Sequence, residues 1–563
     1  MKRNKIFSQS GLVLFICLLA SLLCTTTFAA TFYIDSVTGA DNRTSVQAQS
    51  QSTPWAHVPG MSGATSNCNS YMGKSGDVFV LKGGSTWTFT STTADLLTVR
   101  ASGITIMGGQ RLASPWGTGY PVLDGSTSTV ARYGIYMNGK SNVTIDGIKI
   151  ANLVNYSDGS GQGIVIFGAA SSIEVKNCYI DNVGVVALGY SPSGSVAHLL
   201  FHDNTVTNCG RVHVLIDTGV SVDDVQLYNN IMLGPGTWPA HNYHGDGFYV
   251  GANSTTNPST LTNVVIHHNR FYGNWSQGAT ALIYLDAGGG PSGQSNRWGG
   301  YHAKIYDNLL AIDTDGVISP GFITIYDGWK DVKIYNNTIS AKTTSNPVSH
   351  CIFLAYLPTD AAIDVRNNIL SGCANGITAG GMNASTGLTV QNNLYRTNGG
   401  NHFIWDKDSG GNRWDTLADL QAHGYEKNAN AASLVNVDPK FIQLPNGTTG
   451  SGNWNLQSSS PARSGGIAYG SPYNIDLNGI TALGYIGAYA GVLRGTPLAG
   501  PSSSSNVCVP LATLTRTIQC PAGQTGTITQ QQVSTCPGPI YGDWVTVSNT
   551  CKELKIVKRI WNR

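Results

Sequence analysis

The segment VKIYNN (332–337) recurs, with small changes, along the middle of the chain. It appears as VTIDGI from Val143, IEVKNC from Ile173, LLFHDN from Leu199, VQLYNN from Val225, VVIHHN from Val264, AKIYDN from Ala303, IDVRNN from Ile363 and LTVQNN from Leu388. Last residues stand at 148, 178, 204, 230, 269, 308, 337, 368 and 393, so the repeat measures between 25 and 39 residues. Each segment alternates apolar and polar residues, the period of a half-buried strand. Most then end on Asn, which tolerates the left-handed backbone and turns the chain sharply. A second apolar series precedes these segments: GIYMNG (134), GIVIFG (163), GVVALG (184), VHVLID (212), GFYVGA (247), LIYLDA (282), FITIYD (322), CIFLAY (351) and GITAGG (376). Two or three short strands per repeat define a stacked solenoid. Helical repeats lack the 3.6-residue period, and a propeller needs about four strands in about 40 residues. A parallel β-helix remains, with the turn asparagines in register and hydrogen-bonded along the axis.

Composition agrees. Only 11% of the 563 residues are charged, against about 25% in ordinary domains. There are 68 glycines and three glutamates (Glu174, Glu426, Glu553), a mixture that suits strands and tight turns and excludes a mostly helical chain. A net charge of +2 leaves no footprint for nucleic acid.

The ends read differently. Residues 1–29 have the pattern of a secretory signal: Lys2, Arg3 and Lys5, an apolar stretch Leu12 to Cys24, then Thr27 and Ala29. The expectation is a secreted or cell-surface protein without a membrane span once the signal is removed. Residues 491–506 read as a Pro/Ser/Gly linker, and 507–563 as a cysteine-rich module with a basic tail. Cys508, Cys520, Cys536 and Cys551 are expected to form two disulfides of undetermined pairing. For most of Cys68, Cys178, Cys209, Cys351 and Cys373, buried free thiols are the expectation.

The opening FYIDSVTGADN (32–42), PWAHV (54–58) and GDVFVLKGG (76–84) resembles that of the secreted right-handed parallel β-helix proteins of the pectin-lyase-like group. So does the close: RWDTLADLQAHG (413–424), VDPKF (437–441), WNLQSSSPARSGG (454–466) and GYIGAY (484–489). The resemblance implies an all-β, right-handed parallel β-helix solenoid over 30–490, followed by a small disulfide-stapled C-terminal module. Within it, a cap is expected over about 30–130, repeat coils over about 131–400 and a second cap over about 401–490. Lyases, hydrolases, epimerases and non-catalytic fibres share this fold, so activity must be argued from side chains.

Alternation directs Tyr136, Phe167 and Leu188 outward in early coils, then His213 and Asp217, Tyr249, Tyr284 and Asp286, and Thr324 and Tyr326. Asp246 and Asp327 end their strands, and the two 39-residue repeats add loops in the same region. The catalytic candidates are therefore Asp246, His244, Asp217, His213, Asp286 and Asp327; the substrate-binding candidates are Trp238, Tyr249, Trp275, Tyr284, Arg297, Trp298 and Tyr326. A pair of aspartates on neighbouring coils suits glycoside hydrolysis. Lysis of an acidic polysaccharide would instead use Arg211, His213, His244 or Lys330 as base, with aspartates holding calcium. No other cofactor is implied. Turn formation is the competing reading for Asp217, Asp246 and Asp327. The expected function is binding and cleavage of a polysaccharide or cell-surface glycan, by lyase or hydrolase chemistry; the alternative is a non-catalytic surface, adhesin or fibre protein. Oligomeric state is left open.

Overall fold

The computed structural model describes residues 29–489, apart from 90–94, 127–132, 155–160, 195, 235–244, 253–259, 276–278, 288–298, 313–317, 342–349, 359, 381–386, 398–401, 407–411, 429–433, 446–451 and 482. It also describes the backbone of seven short strands between 514 and 553. The signal segment 1–28, the linker, the four module cysteines, and Trp238, His244, Arg297 and Trp298 lie outside the described residues.

Each repeat is one coil of a parallel β-helix built from three sheets. The asparagine-terminated segments form a first sheet of 12 strands, including Val222–Tyr228, Thr260–His267 and Trp329–Tyr335. The preceding series forms a second sheet, also of 12, including Val212–Thr218, Phe248–Ala252, Ile283–Asp286, Gly321–Tyr326 and His350–Ala355. A third sheet of 11 follows the asparagine turn with strands as short as Leu309–Ala311 and Thr338–Ser340. Like stacks on like in the interior. Ile145, Val175, Phe201, Leu227, Ile266, Ile305, Ile334, Val365 and Val390 occupy one register position and are buried. Leu188 pairs with Ile164 and Val214 and points inward, correcting its outward assignment; Gly189 takes the outer position.

The turn after the first sheet is built on two residues. The first, such as Asp203, Asn229, Asp307, Asn336 or Asn367, adopts φ between 53° and 56°, which Asn and Asp tolerate. The second is buried. Asn204, Asn230, Asn269, Asn308, Asn337, Asn368 and Asn393 form a ladder. Each Oδ1 from Asn230 onward accepts the backbone N–H and side-chain amide of the rung before it at 2.9–3.1 Å. Every amide also donates to a core carbonyl, from Val175 to Val365, at 2.8–3.0 Å. Buried polar groups of this kind are stable only when fully paired. The last rung is not asparagine: Glu426 Oε1 accepts the Asn393 N–H (3.2 Å), its amide (3.0 Å) and the Tyr395 hydroxyl (3.1 Å).

A C-terminal segment then runs back along the solenoid. Carbonyls of Gly465, Ile467, Tyr473 and Leu477 accept from Asn392, Asn367, Asn336 and Arg270 in turn, and the Tyr485 hydroxyl donates to buried Asp307. This strap covers the apolar outer face of the third sheet, packing Leu477, Ile486 and Tyr489 in one cluster with Leu309, Ile369 and Leu394. The expected short helix is Leu417–Ala422, with Thr416 and Asp419 as a capping box and Trp414 buried beside it.

Cys351 and Cys373 form a disulfide between adjacent coils (Cα–Cα 5.6 Å), the exception to the free-thiol expectation for most of the five, and it lies within the β-helix rather than the C-terminal module. Cys68, Cys178 and Cys209 are free and buried. Among the described residues no helix is long and apolar enough to cross a membrane. Residues Leu498–Arg563 form a separate unit containing a three-stranded antiparallel sheet, Leu514–Gln519, Thr527–Gln532 and Val545–Asn549.

Candidate functional site

The candidates read from the sequence on the central coils lie on and beside the second sheet. Two rows run along the axis there. Leu215, Tyr249, Tyr284, Thr324 and Phe353 occupy one register position; Asp217, Gly251, Asp286, Tyr326 and Ala355 occupy the next outward one. Residues two apart on a strand share a face, so the rows lie side by side.

Gly251 shapes the centre. A Cβ at this position would lie 2.4 Å from the Tyr249 ring, so the ring lies over the glycine, and its hydroxyl donates to Asp286 Oδ2 at 3.3 Å. Tyr249 meets Tyr284 edge-on at 5.2 Å between ring centres, Tyr284 meets Tyr326 at 6.1 Å, and Tyr326 meets Tyr356 at 5.0 Å. Burial, then the Asp286 charge, pushes the Tyr249 and Tyr284 phenols up, so both remain neutral donors. Tyr326 is pushed up to about 12, chiefly by burial and then by Tyr356.

Asp327 follows Tyr326 in left-handed backbone (φ 47°), its N–H donating to the Ala355 carbonyl. Partial burial and the neighbouring Asp286 charge raise its carboxyl to about 7. Asp327 thus carries a proton over much of the neutral range, next to a second carboxyl. Asp217 is half-buried at the far side of Gly251 and contributes to the field on Tyr249.

Three candidates belong to the core instead. His213 is 0% exposed; its Nε2–H donates to the Leu233 carbonyl at 2.7 Å, its ring packs on Trp275, and burial lowers it to about 4. Trp275 is 1% exposed and donates to the Tyr272 carbonyl, so it offers no face for a sugar. Asp246 is 2% exposed, and its Oδ1 accepts the N–H groups of Thr280 (3.2 Å) and Ala281 (2.9 Å), fixing the next coil. His213 is covered by Leu233 and Trp275, with Gly234 packed against Asn274 and Trp275 beside it. Thr324 is likewise buried, donating to the Gly321 carbonyl. Lys330 lies on the first sheet and pairs with Asp360 at 2.8 Å. Of the candidates that the structure describes, Asp217, Tyr249, Tyr284, Asp286, Tyr326 and Asp327 lie together on or at the end of the second sheet's outer face. Tyr356 completes the aromatic row; it ends the segment CIFLAY, where alternation alone gives it no special weight.

The three parallel sheets and the one-coil repeat define a parallel β-helix. A family model described as "Right handed beta helix region" matches residues 62–285. No curated protein matches the sequence. Among solved structures, the chain is similar to pectate lyase Pel9A, at 16% identity and a TM-score of 0.39 over 82% of this chain and 97% of that one. It is also similar to the GH136 lacto-N-biosidase from Eubacterium ramulus, at 10% identity and a TM-score of 0.34 over 67% of this chain and 65% of that one. A third is the ORF18 protein of Geobacillus virus E2, at 14% identity and a TM-score of 0.24 over 72% of this chain and 64% of that one. None of these likenesses transfers a residue role to the site.

Proposed function

We propose that this chain is an exported glycoside hydrolase that binds a polysaccharide along the outer face of its second sheet. The observation that carries the reading is the pair Asp286 and Asp327 on neighbouring coils, one of them raised to about 7 by burial and by the other's charge. Glycoside hydrolysis uses one protonated and one ionised carboxyl flanking the bond, and environments that split their pKa values assign the roles. Asp327 donates its proton to the leaving glycosidic oxygen. Asp286, held by the Tyr249 hydroxyl, faces the anomeric carbon as nucleophile or activates water there. The tyrosine row supplies flat apolar faces with polar edges, the surface a sugar ring needs. Hydrolysis is the reading favoured by the two neighbouring carboxyls; of the four candidate bases for lysis, His213 is buried and Lys330 is paired with Asp360 on another sheet. Export rests on the basic and apolar pattern of residues 1–29.

The test is digestion of a panel of neutral and acidic polysaccharides, with and without calcium, by the wild type and Asp327→Asn. New reducing ends without unsaturated-uronate absorbance, lost in the variant, are expected. Unsaturated ends would mean a lyase. Binding without any cleavage would mean the non-catalytic alternative.

A further inference from the structure

We propose that Tyr356 is the aromatic platform of a glycan subsite one coil beyond Asp327, placing the sugar chain parallel to the solenoid axis; this rests on the glycan-binding reading above. The first observation is its backbone. Tyr356 adopts φ 54°, the left-handed region, where its counterpart one coil earlier is Asp327 at φ 47°. Left-handed non-glycine positions among the described residues are mostly Asn, Asp, Ser and His, and Tyr356 is the one tyrosine among them. A bulky side chain is disfavoured there, and such strain persists where something else requires the residue.

The second observation is exposure. Tyr356 is 54% exposed, whereas Tyr326, its ring partner at 5.0 Å, is half-buried. The rings meet at 72°, so the contact is edge-on and does not hide Tyr356 in a stack. Packing therefore does not account for a tyrosine in place of the Asn or Asp that the backbone favours.

The third observation is placement. Tyr249, Tyr284, Tyr326 and Tyr356 form a continuous row of ring contacts on successive coils. With coils about 4.8 Å apart, the row spans about 14 Å along the axis. Asp286 and Asp327 sit within it, and Tyr356 is its exposed end. A linear oligosaccharide presenting one apolar ring face fits this track; a compact or globular ligand would not use its length. Stacking at Tyr356 fixes the sugar next to the scissile bond and sets the register of the chain over the two carboxyls.

The experiment is affinity electrophoresis of the full chain through gels containing soluble xylan, glucomannan, polygalacturonate or alginate, with thermal unfolding measured in parallel. Tyr356→Asn suits the left-handed backbone, so its unfolding midpoint should equal or exceed the wild type's while retardation falls at least tenfold. Tyr356→Trp should retain retardation. Wild-type retardation with an equally retarded Tyr356→Asn overturns the subsite and leaves the proposed function standing. A wild type retarded by none of the four overturns both.

Discussion

Replacing Glu426 with Gln should abolish a pH dependence of stability that the last rung of the asparagine ladder creates. Glu426 is fully buried, and its Oε1 accepts three hydrogen bonds from Asn393 and Tyr395. Burial raises its carboxyl from 4.5 to about 7, outweighing the hydrogen bonds that favour the charged form. Below 4.5 the folded and unfolded chains both hold the proton, and the group adds no pH dependence. Between 4.5 and about 7 the unfolded chain releases its proton while the folded chain retains it, so stability falls as pH rises. Above about 7 both have released it and the loss is complete. A tenfold change in proton affinity is about 1.4 kcal/mol, so the full loss is about 3 kcal/mol. The assay is urea unfolding of wild type and Glu426→Gln at pH 4.5, 6 and 8, with amide exchange at Asn393 and Tyr395 as the local probe. The stability difference should move in favour of the glutamine variant by about 3 kcal/mol from pH 4.5 to pH 8. Parallel pH curves for the two proteins would refute the reasoning, whatever their constant offset.

Asn308→Ala removes a rung whose Oδ1 accepts two hydrogen bonds and whose amide lies within hydrogen-bond distance of three oxygens, stranding the buried Asn269 N–H and amide and the Ile266 carbonyl. At about 1–3 kcal/mol per stranded group, a loss of about 4 kcal/mol in urea unfolding is expected, and a loss below about 1 would contradict the ladder's role. Replacing Cys351 and Cys373 together with Ser opens a 22-residue loop and should cost about 3 kcal/mol, matched by reduction of the wild type. Gly251→Ala should push the Tyr249 ring off its seat and away from Asp286, lowering kcat at least tenfold with the unfolding midpoint little changed. Because Asp327 must hold its proton, cleavage should decline as pH rises through about 7, and Asp327→Asn should be slow and flat across that range.

The repeated asparagines made the coil legible, since a left-handed turn followed by a buried amide leaves two adjacent residues of one type. The third sheet was not explicit: strands such as Leu309–Ala311 are too short to show a period. Cys351 and Cys373 carry no spacing signal, and only coil stacking brings them together. Tyr249, Tyr284, Asp286 and Tyr326 read as outward from alternation and lie at outward register positions of the second sheet; Asp327 is read from its place at the strand end. His213 reads as outward because alternation gives a side chain's direction and not whether other chain crosses over it; Asp246, read from its strand end, and Trp275, read from its loop, are buried because neither position fixes exposure.

A solenoid whose coils touch only their neighbours behaves as a one-dimensional array and can fray from either end. The strap changes that. By tying Leu477 to Arg270, Tyr473 to Asn336 and Ile467 to Asn367, it makes contacts spanning 100 to 207 residues in sequence. The coils beneath it must then open together, converting gradual unravelling into a single cooperative block. The coils before Arg270 remain free to breathe locally. Amide exchange should divide the solenoid at that boundary, and the divide should vanish when the chain is cut after residue 464.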